Sequence, residues 1–126
     1  MGVWATGPTA GALLEGLGLG LFALMTDLRR VRPTESRAVS ASAEDPSALV
    51  VAFLTQLLQQ YETDRFLVRR IEARTLGQPA TAVVATIEGE PFDPERHAAR
   101  TEVKAITLHR LEFDPVRGRA RVIVDI

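Results

Sequence analysis

Thr101–Ile126 reads TEVKAITLHRLEFDPVRGRARVIVDI. Two runs rich in β-branched residues flank Asp114-Pro115 and Arg117-Gly118, so the segment is predicted to form two strands about a turn. The last residues of a chain ordinarily fray unless they are tied down. Here Val122, Ile123, Val124 and Ile126 belong in a sheet core, and a packed final strand is expected. It brings together two carboxylates, the Asp125 side chain and the α-carboxylate of Ile126. Adjacent carboxylates repel unless a cation or a lysine neutralises them, which makes this a candidate site for a hard metal ion with its preference for oxygen ligands. The alternative is a solvated strand end.

Just upstream, Glu102 and Lys104 lie two residues apart. Residues two apart in a strand share a face, so a carboxylate and an ammonium are expected to point the same way. They belong to a site with the terminal carboxylates, or they make an ordinary surface ion pair of little energetic weight. His109 sits in the strand pattern near Thr107 and reads as a satisfied structural histidine. Gly89–Ala99 (GEPFDPERHAA) reads as a loop. Glu90, Asp93, Glu95 and His97 are possible metal donors there. No helical i, i+4 spacing organises them, and His97 reads as a polar surface residue.

Further back, Ala80–Glu88 is a strand of small and β-branched residues, preceded by a turn at Gly77-Gln78-Pro79. Phe66–Leu76 is also β-like, and Arg65, Arg69, Arg70 and Arg74 accompany it. These arginines are candidates for RNA phosphates or an acidic partner. With a formal net charge of −1 over the chain, a solvated sheet face is the favoured reading. Asp45-Pro46 opens a helix, Asp as N-cap and Pro at the first helical position. Leu49, Val50, Phe53, Leu54, Leu57, Leu58 and Tyr61 carry it to Tyr61, and Glu62-Thr63-Asp64 reads as a polar turn. Arg37–Ala43 alternates weakly, as a strand would. Before it, Leu13, Leu17, Leu21, Leu24 and Leu28 predict a helix from Thr9 to Leu28, closed by Arg29, Arg30, Arg32 and Pro33. Gly11, Gly16, Gly18 and Gly20 each weaken that helix by about 1 kcal/mol relative to Ala. Another backbone packing close would explain them. Gly16–Gly20 is not a dinucleotide fingerprint, because the motif lies inside a helix pattern and its spacing is one residue short. Gly2–Thr6 is a short strand.

The order of elements is an α+β pattern, two amphipathic helices packed on a mainly antiparallel sheet. At 126 residues, residues 1–126 are expected to be a single domain. The chain has no cysteine, which excludes disulfides, thiolate metal sites and thiol catalysis. Near-neutral charge argues against gripping nucleic acid by bulk electrostatics. No nucleophile elbow or P-loop is present. The apolar run Gly16–Thr26 is too short for a membrane span, and no targeting segment is evident, so a soluble cytoplasmic protein is expected.

Four blocks together resemble the archease family: Phe22–Leu28 (FALMTDL), Gly89-Glu90 followed by His97, Glu102–Ala105 (EVKA) with His109, and Val122–Ile126 (VIVDI). The resemblance covers essentially the whole chain, and the EVKA block with the terminal strand is its most specific part. It implies a small α+β protein that is not itself an enzyme. Such a protein activates the GTP-dependent, RtcB-type RNA ligase of tRNA splicing and RNA repair. That ligase guanylylates its own histidine and then joins a 2′,3′-cyclic phosphate end to a 5′-hydroxyl end. The activator promotes guanylylation and multiple turnover, and meets RNA only through the ligase. The resemblance further implies a divalent metal ion (calcium, magnesium or manganese), held by an Asp in an N-terminal His-Thr-Ala-Asp motif and by the C-terminal Asp and carboxylate. Asp125 and Ile126 match the latter pair. Lys104 matches a lysine linked to activation, with Glu102 beside it. The His-Thr-Ala-Asp motif would fall before Gly2 and is not in this sequence, so weak metal binding and a natural form extending upstream are expected. Two alternatives are a small metal-dependent phosphate hydrolase, which would need more ligands, and a chaperone-like structural module with no metal requirement.

Overall fold

Gly2–Thr6 forms strand β1, after which the Thr9 hydroxyl accepts the Ala12 N–H at 3.1 Å and opens helix α1, Ala10–Met25. This computed structural model describes residues 1–126. Helix α1 stops three residues before the expected Leu28. Thr26 turns extended and donates its hydroxyl to the Ala98 carbonyl at 2.9 Å. Asp27 then caps a separate 3-10 turn, Leu28–Arg30, by accepting the Arg29 N–H. The arginines read as the helix's cationic end thus lie beyond it. Helix α2 spans Pro46–Asp64 and begins as expected, with the Asp45 side chain accepting the Ala48 N–H at 2.8 Å. It runs one turn past Tyr61 because Arg37 reaches across to Gln60 at 3.0 Å and to Asp64 at 2.6 Å. Arg65, at φ 60° and ψ 30°, closes it with its N–H on the Gln60 and Tyr61 carbonyls.

The remaining strands are β2 (Glu35–Ser42), β3 (Phe66–Leu76), β4 (Ala82–Pro91), β5 (Ala105–Asp114) and β6 (Arg119–Asp125). Every pairing is antiparallel, and the class is α+β. The strands divide into two three-stranded sheets, β1-β6-β5 and β2-β4-β3, where the sequence suggested one. The helices lie between them. Helix α1 packs on β1 and β6 on one side and on β3 on the other, while α2 packs on β5 and on all three strands of the second sheet.

The glycines of α1 report this double burial. Gly16 and Gly20 meet Ala5 and Val3 of β1, and Gly11 and Gly18 meet Ala73 and Ile71 of β3. A Cβ on Gly11 would stand 2.7 Å from the Ala73 carbonyl oxygen. Close approach of a strand on each flank is the reason this helix accepts four poor helix formers. Its one carboxylate, Glu15, accepts the Ala73 N–H at 2.8 Å. Leu13, Leu17 and Phe22 of α1, Phe53 and Leu57 of α2, and Phe66, Ile87 and Val122 of the sheets are buried in one continuous core. No helix is long and apolar enough to cross a membrane.

Two strand boundaries bear on the site. Strand β4 continues to Pro91, so Gly89 and Glu90 lie in a strand and not in the loop expected there. Between β5 and β6 the register jumps: Thr107 faces Ile123 and Glu112 faces Arg121. Leu108–Leu111 therefore stand opposite Val122 alone, a bulge held by Arg110 at φ 53° and by the Arg121 Nε–H on the Arg110 carbonyl at 3.0 Å. His109 rides on this bulge, exposed, and is not the packed histidine its strand setting suggested.

Candidate functional site

The start of β1, the end of β6 and the entry to β5 meet at one end of the first sheet. The Lys104 N–H donates to the Asp125 carbonyl at 2.7 Å, and the Val124 N–H to the Met1 carbonyl at 2.8 Å. Ala105 is the register partner of Asp125. The chain leading into β5 is pinned from the other side, because the N–H groups of Arg100 and Thr101 donate at 2.9 Å to the Met25 and Leu24 carbonyls. Carbonyls at a helix C-terminus lack partners within the helix, and here the incoming segment supplies them. Val103 is buried between exposed Glu102 and Lys104, so the alternation expected of a strand holds although regular pairing starts only at Ala105.

Asp125 and Ile126 are both exposed. The ion pairs of the chain involve other residues, which leaves Glu102, Lys104 and Asp125 each without one; the surface ion pair between Glu102 and Lys104, the alternative to a shared site, is not made. Two carboxylates at consecutive residues are hard-oxygen donors, the kind a divalent hard cation takes. No third His, Cys, Asp or Glu joins them to make a group of three. The donors suit such an ion as an open site, with water or a partner's groups completing the shell.

The donors suggested in the Gly89–Ala99 stretch are arranged for another purpose. Glu90 is buried and receives four donors: the Arg32 N–H at 2.7 Å, both terminal nitrogens of Arg96 at 3.1 and 2.5 Å, and His97 Nε2 at 3.0 Å. The Asp93 N–H donates to His97 Nδ1 at 2.9 Å, which places the ring proton on Nε2. Hydrogen bonds from Arg96 and the Arg32 backbone, with His97 adding to them, pull the Glu90 carboxyl down to a pKa of about 2. Its oxygens are saturated by these donors, so the metal reading fails for this cluster. Glu95 points its backbone to Asp93 and joins nothing else. His97 is 3% exposed, a structural histidine where the sequence suggested a surface one. This node anchors the loop that leads to Glu102 and Lys104.

A cleft of about 680 Å³ opens beside Glu102, between the C-terminal ends of the two helices and the loop. Tyr61, Arg65, Phe92 and Arg100 line it with Glu102. The Arg65 guanidinium stands 5.0 Å from the Tyr61 ring centre, a cation–π contact. Tyr61, Phe92 and Arg100 carried no functional signal in the sequence, since they meet only through the fold. The other arginines of that stretch go elsewhere. Arg70 and Arg74 are exposed on the outer face of the second sheet, Arg70 opposite Glu88 and with Glu72 between them. That mixed-sign face is solvated, as favoured.

The model of the Archease protein family matches residues 1–126. Protein archease of Methanopyrus kandleri is 35% identical, over 98% of this chain and 89% of its own length. Protein archease of Thermococcus gammatolerans is also 35% identical, over 100% of this chain and 92% of its own length. The solution structure of Methanobacterium thermoautotrophicum protein 1598 aligns with a TM-score of 0.76 at 30% identity, covering 99% of this chain and 91% of that one.

Proposed function

This chain belongs to the archease family, and from that premise we propose that it is an accessory protein of tRNA splicing and RNA repair that activates an RtcB-type RNA ligase without turning over a substrate itself. The observation that carries the reading is the 2.7 Å bond from the Lys104 N–H to the Asp125 carbonyl. It sets the lysine expected to act on the ligase beside the two carboxylates expected to hold a divalent cation. Asp125 and the Ile126 carboxylate would hold that ion. Once bound it adds positive charge where a phosphoryl group is transferred and pyrophosphate departs. Lys104, exposed and free of any carboxylate in its own chain, carries a second positive charge on a fixed strand entry. Glu102 lies two residues away, on the wall of the cleft, where it is available to a cation of the ligase. A cytoplasmic setting belongs to the same reading.

A phosphate hydrolase would need a fuller ligand set than the two carboxylates at this end supply. The test is ligase guanylylation with GTP in the presence of this protein, of Lys104→Ala and of Asp125→Asn. Stimulation by the parent and its loss in both variants is expected. Equal stimulation by all three would remove these residues from the activating site.

A further inference from the structure

Trp4 is the only tryptophan of the chain and is 66% exposed. Strand β1 buries Val3 and Ala5 and turns Trp4 and Thr6 outward. A Cβ built on Gly2 would lie 2.5, 2.9 and 3.1 Å from three consecutive atoms of the Trp4 benzo ring. These nearly equal distances set the face of the ring, rather than its edge, over the Gly2 backbone. The opposite face of the indole is presented to solvent.

The outward positions near that face carry both signs, Glu112, Asp114 and Asp125 among them, but two of the arginines there are unpaired. Arg121 is the register partner of Trp4, and Ile123 that of Gly2. Arg121 points outward with Trp4, because Ala120 and Val122 on either side of it are buried. Its Nε is engaged by the Arg110 carbonyl at 3.0 Å, which fixes the guanidinium and leaves the terminal nitrogens available. Arg117 and Arg119 pair with Asp114 and Glu112, whereas Arg110 and Arg121 take part in none of the chain's ion pairs.

We propose that the outer face of the β1-β6-β5 sheet holds a short length of single-stranded RNA, one base stacked on Trp4 and the adjoining phosphates on Arg121 and Arg110. A flat aromatic face on a sheet takes any unstacked base, and a guanidinium held at its rim is suited to phosphate. Across the strand pair Trp4 faces Arg121, with Arg119 opposite Thr6 and half-buried Ile123 opposite Gly2, so a ligand on the ring meets a guanidinium at its rim. The choice of RNA over DNA rests on the RNA-ligase reading above; the platform itself does not. It goes beyond the expectation that RNA is met only through the ligase.

The experiment needs no ligase, so its failure and the failure of ligase activation are separable. Oligouridylate of twelve nucleotides is titrated at low salt into the parent protein, with Trp4 fluorescence as the readout. A fluorescein-labelled copy of the same strand reports binding to variants by anisotropy. Saturable quenching is expected, with Trp4→Ala binding about tenfold more weakly and Trp4→Phe near the parent. Arg121→Gln should reduce the slope of log affinity against log salt by about 0.7, the value for one phosphate contact on a single strand. Absence of quenching, or unchanged affinity in Trp4→Ala, overturns the proposal. So does a Trp4 signal that responds only to protein concentration, which would give this face to a second copy of the chain. Equal binding of oligodeoxythymidylate would overturn the assignment to RNA.

Discussion

Replacing Glu90 by Gln removes a charge from the node that anchors the loop bearing Glu102 and Lys104. The parent carboxylate accepts from the Arg32 N–H, Arg96 and His97 and is 6% exposed. Its pKa falls from 4.5 to about 2 on folding. At 1.36 kcal/mol per pH unit, that difference is worth roughly 3 kcal/mol. A depressed carboxyl stabilises the fold fully above its unfolded value, where both states are ionised. Below pH 4.5 the unfolded chain takes up the proton first, and the contribution drains away until about pH 2. Gln keeps one acceptor but turns an amide N–H₂ toward donors. Urea unfolding followed by circular dichroism between pH 7 and pH 2.5 measures the effect. At pH 7, Glu90→Gln should be less stable than the parent by roughly 3 kcal/mol, and the gap should close as pH falls through the window. A gap of the same size at pH 3 and pH 7, or one below about 0.5 kcal/mol at pH 7, would refute the electrostatic account of this node.

Gly11→Ala gains about 1 kcal/mol of helix propensity but drives a Cβ to 2.7 Å from the Ala73 carbonyl oxygen; thermal unfolding should show a net loss of about 1–2 kcal/mol, since backbone cannot give way as a side chain can. Leu57→Ala, at a fully buried site on α2 facing Gly18 of α1, should cost about 3–5 kcal/mol in denaturant unfolding. Thr26→Val orphans the Ala98 carbonyl, which receives the Thr26 hydroxyl at 2.9 Å, and should cost about 1–2 kcal/mol. Lys104→Ala should leave the unfolding midpoint within the change expected of about 0.5 kcal/mol while abolishing ligase activation. Calorimetry with calcium or magnesium should show weaker binding to Asp125→Asn than to the parent, and an unchanged affinity would exclude Asp125 as a ligand.

Periodicity and caps made the elements legible. Asp45-Pro46 marked the start of α2, Thr9 that of α1, and the turn residues Asp114 and Gly118 the final hairpin. The ends that were misplaced depend on contacts far away in the chain. Arg37 prolongs α2 past Tyr61, and Ala98 draws Thr26 out of α1. The four glycines of α1 signalled close packing, but not that a strand lies on each side, since a sequence pattern records burial and not which sheet supplies it. At the site, the alternation around Val103 placed Glu102 and Lys104 outward, and the β-branched run at the terminus put Asp125 at a strand end. Their meeting required the β5–β6 register. Glu90 and His97 were visible as donors, whereas their use was not. Arg96 and the Arg32 N–H reach Glu90 only once the 3-10 turn and the loop are folded, and those bonds turn a candidate metal cluster into a structural one. The bulge at His109 depends on a positive φ at Arg110, which no residue type there announces.

Purified RtcB-type ligase, GTP and this protein in one tube test the central claim most directly. Radiolabelled GTP reports the ligase–guanylate adduct, first with ligase alone and then with increasing amounts of this chain. The account predicts faster and more extensive guanylylation with the parent, repeated joining of cyclic-phosphate and hydroxyl ends, and neither effect with Lys104→Ala. Ligase guanylylated at the same rate and to the same extent in its presence and absence would contradict it.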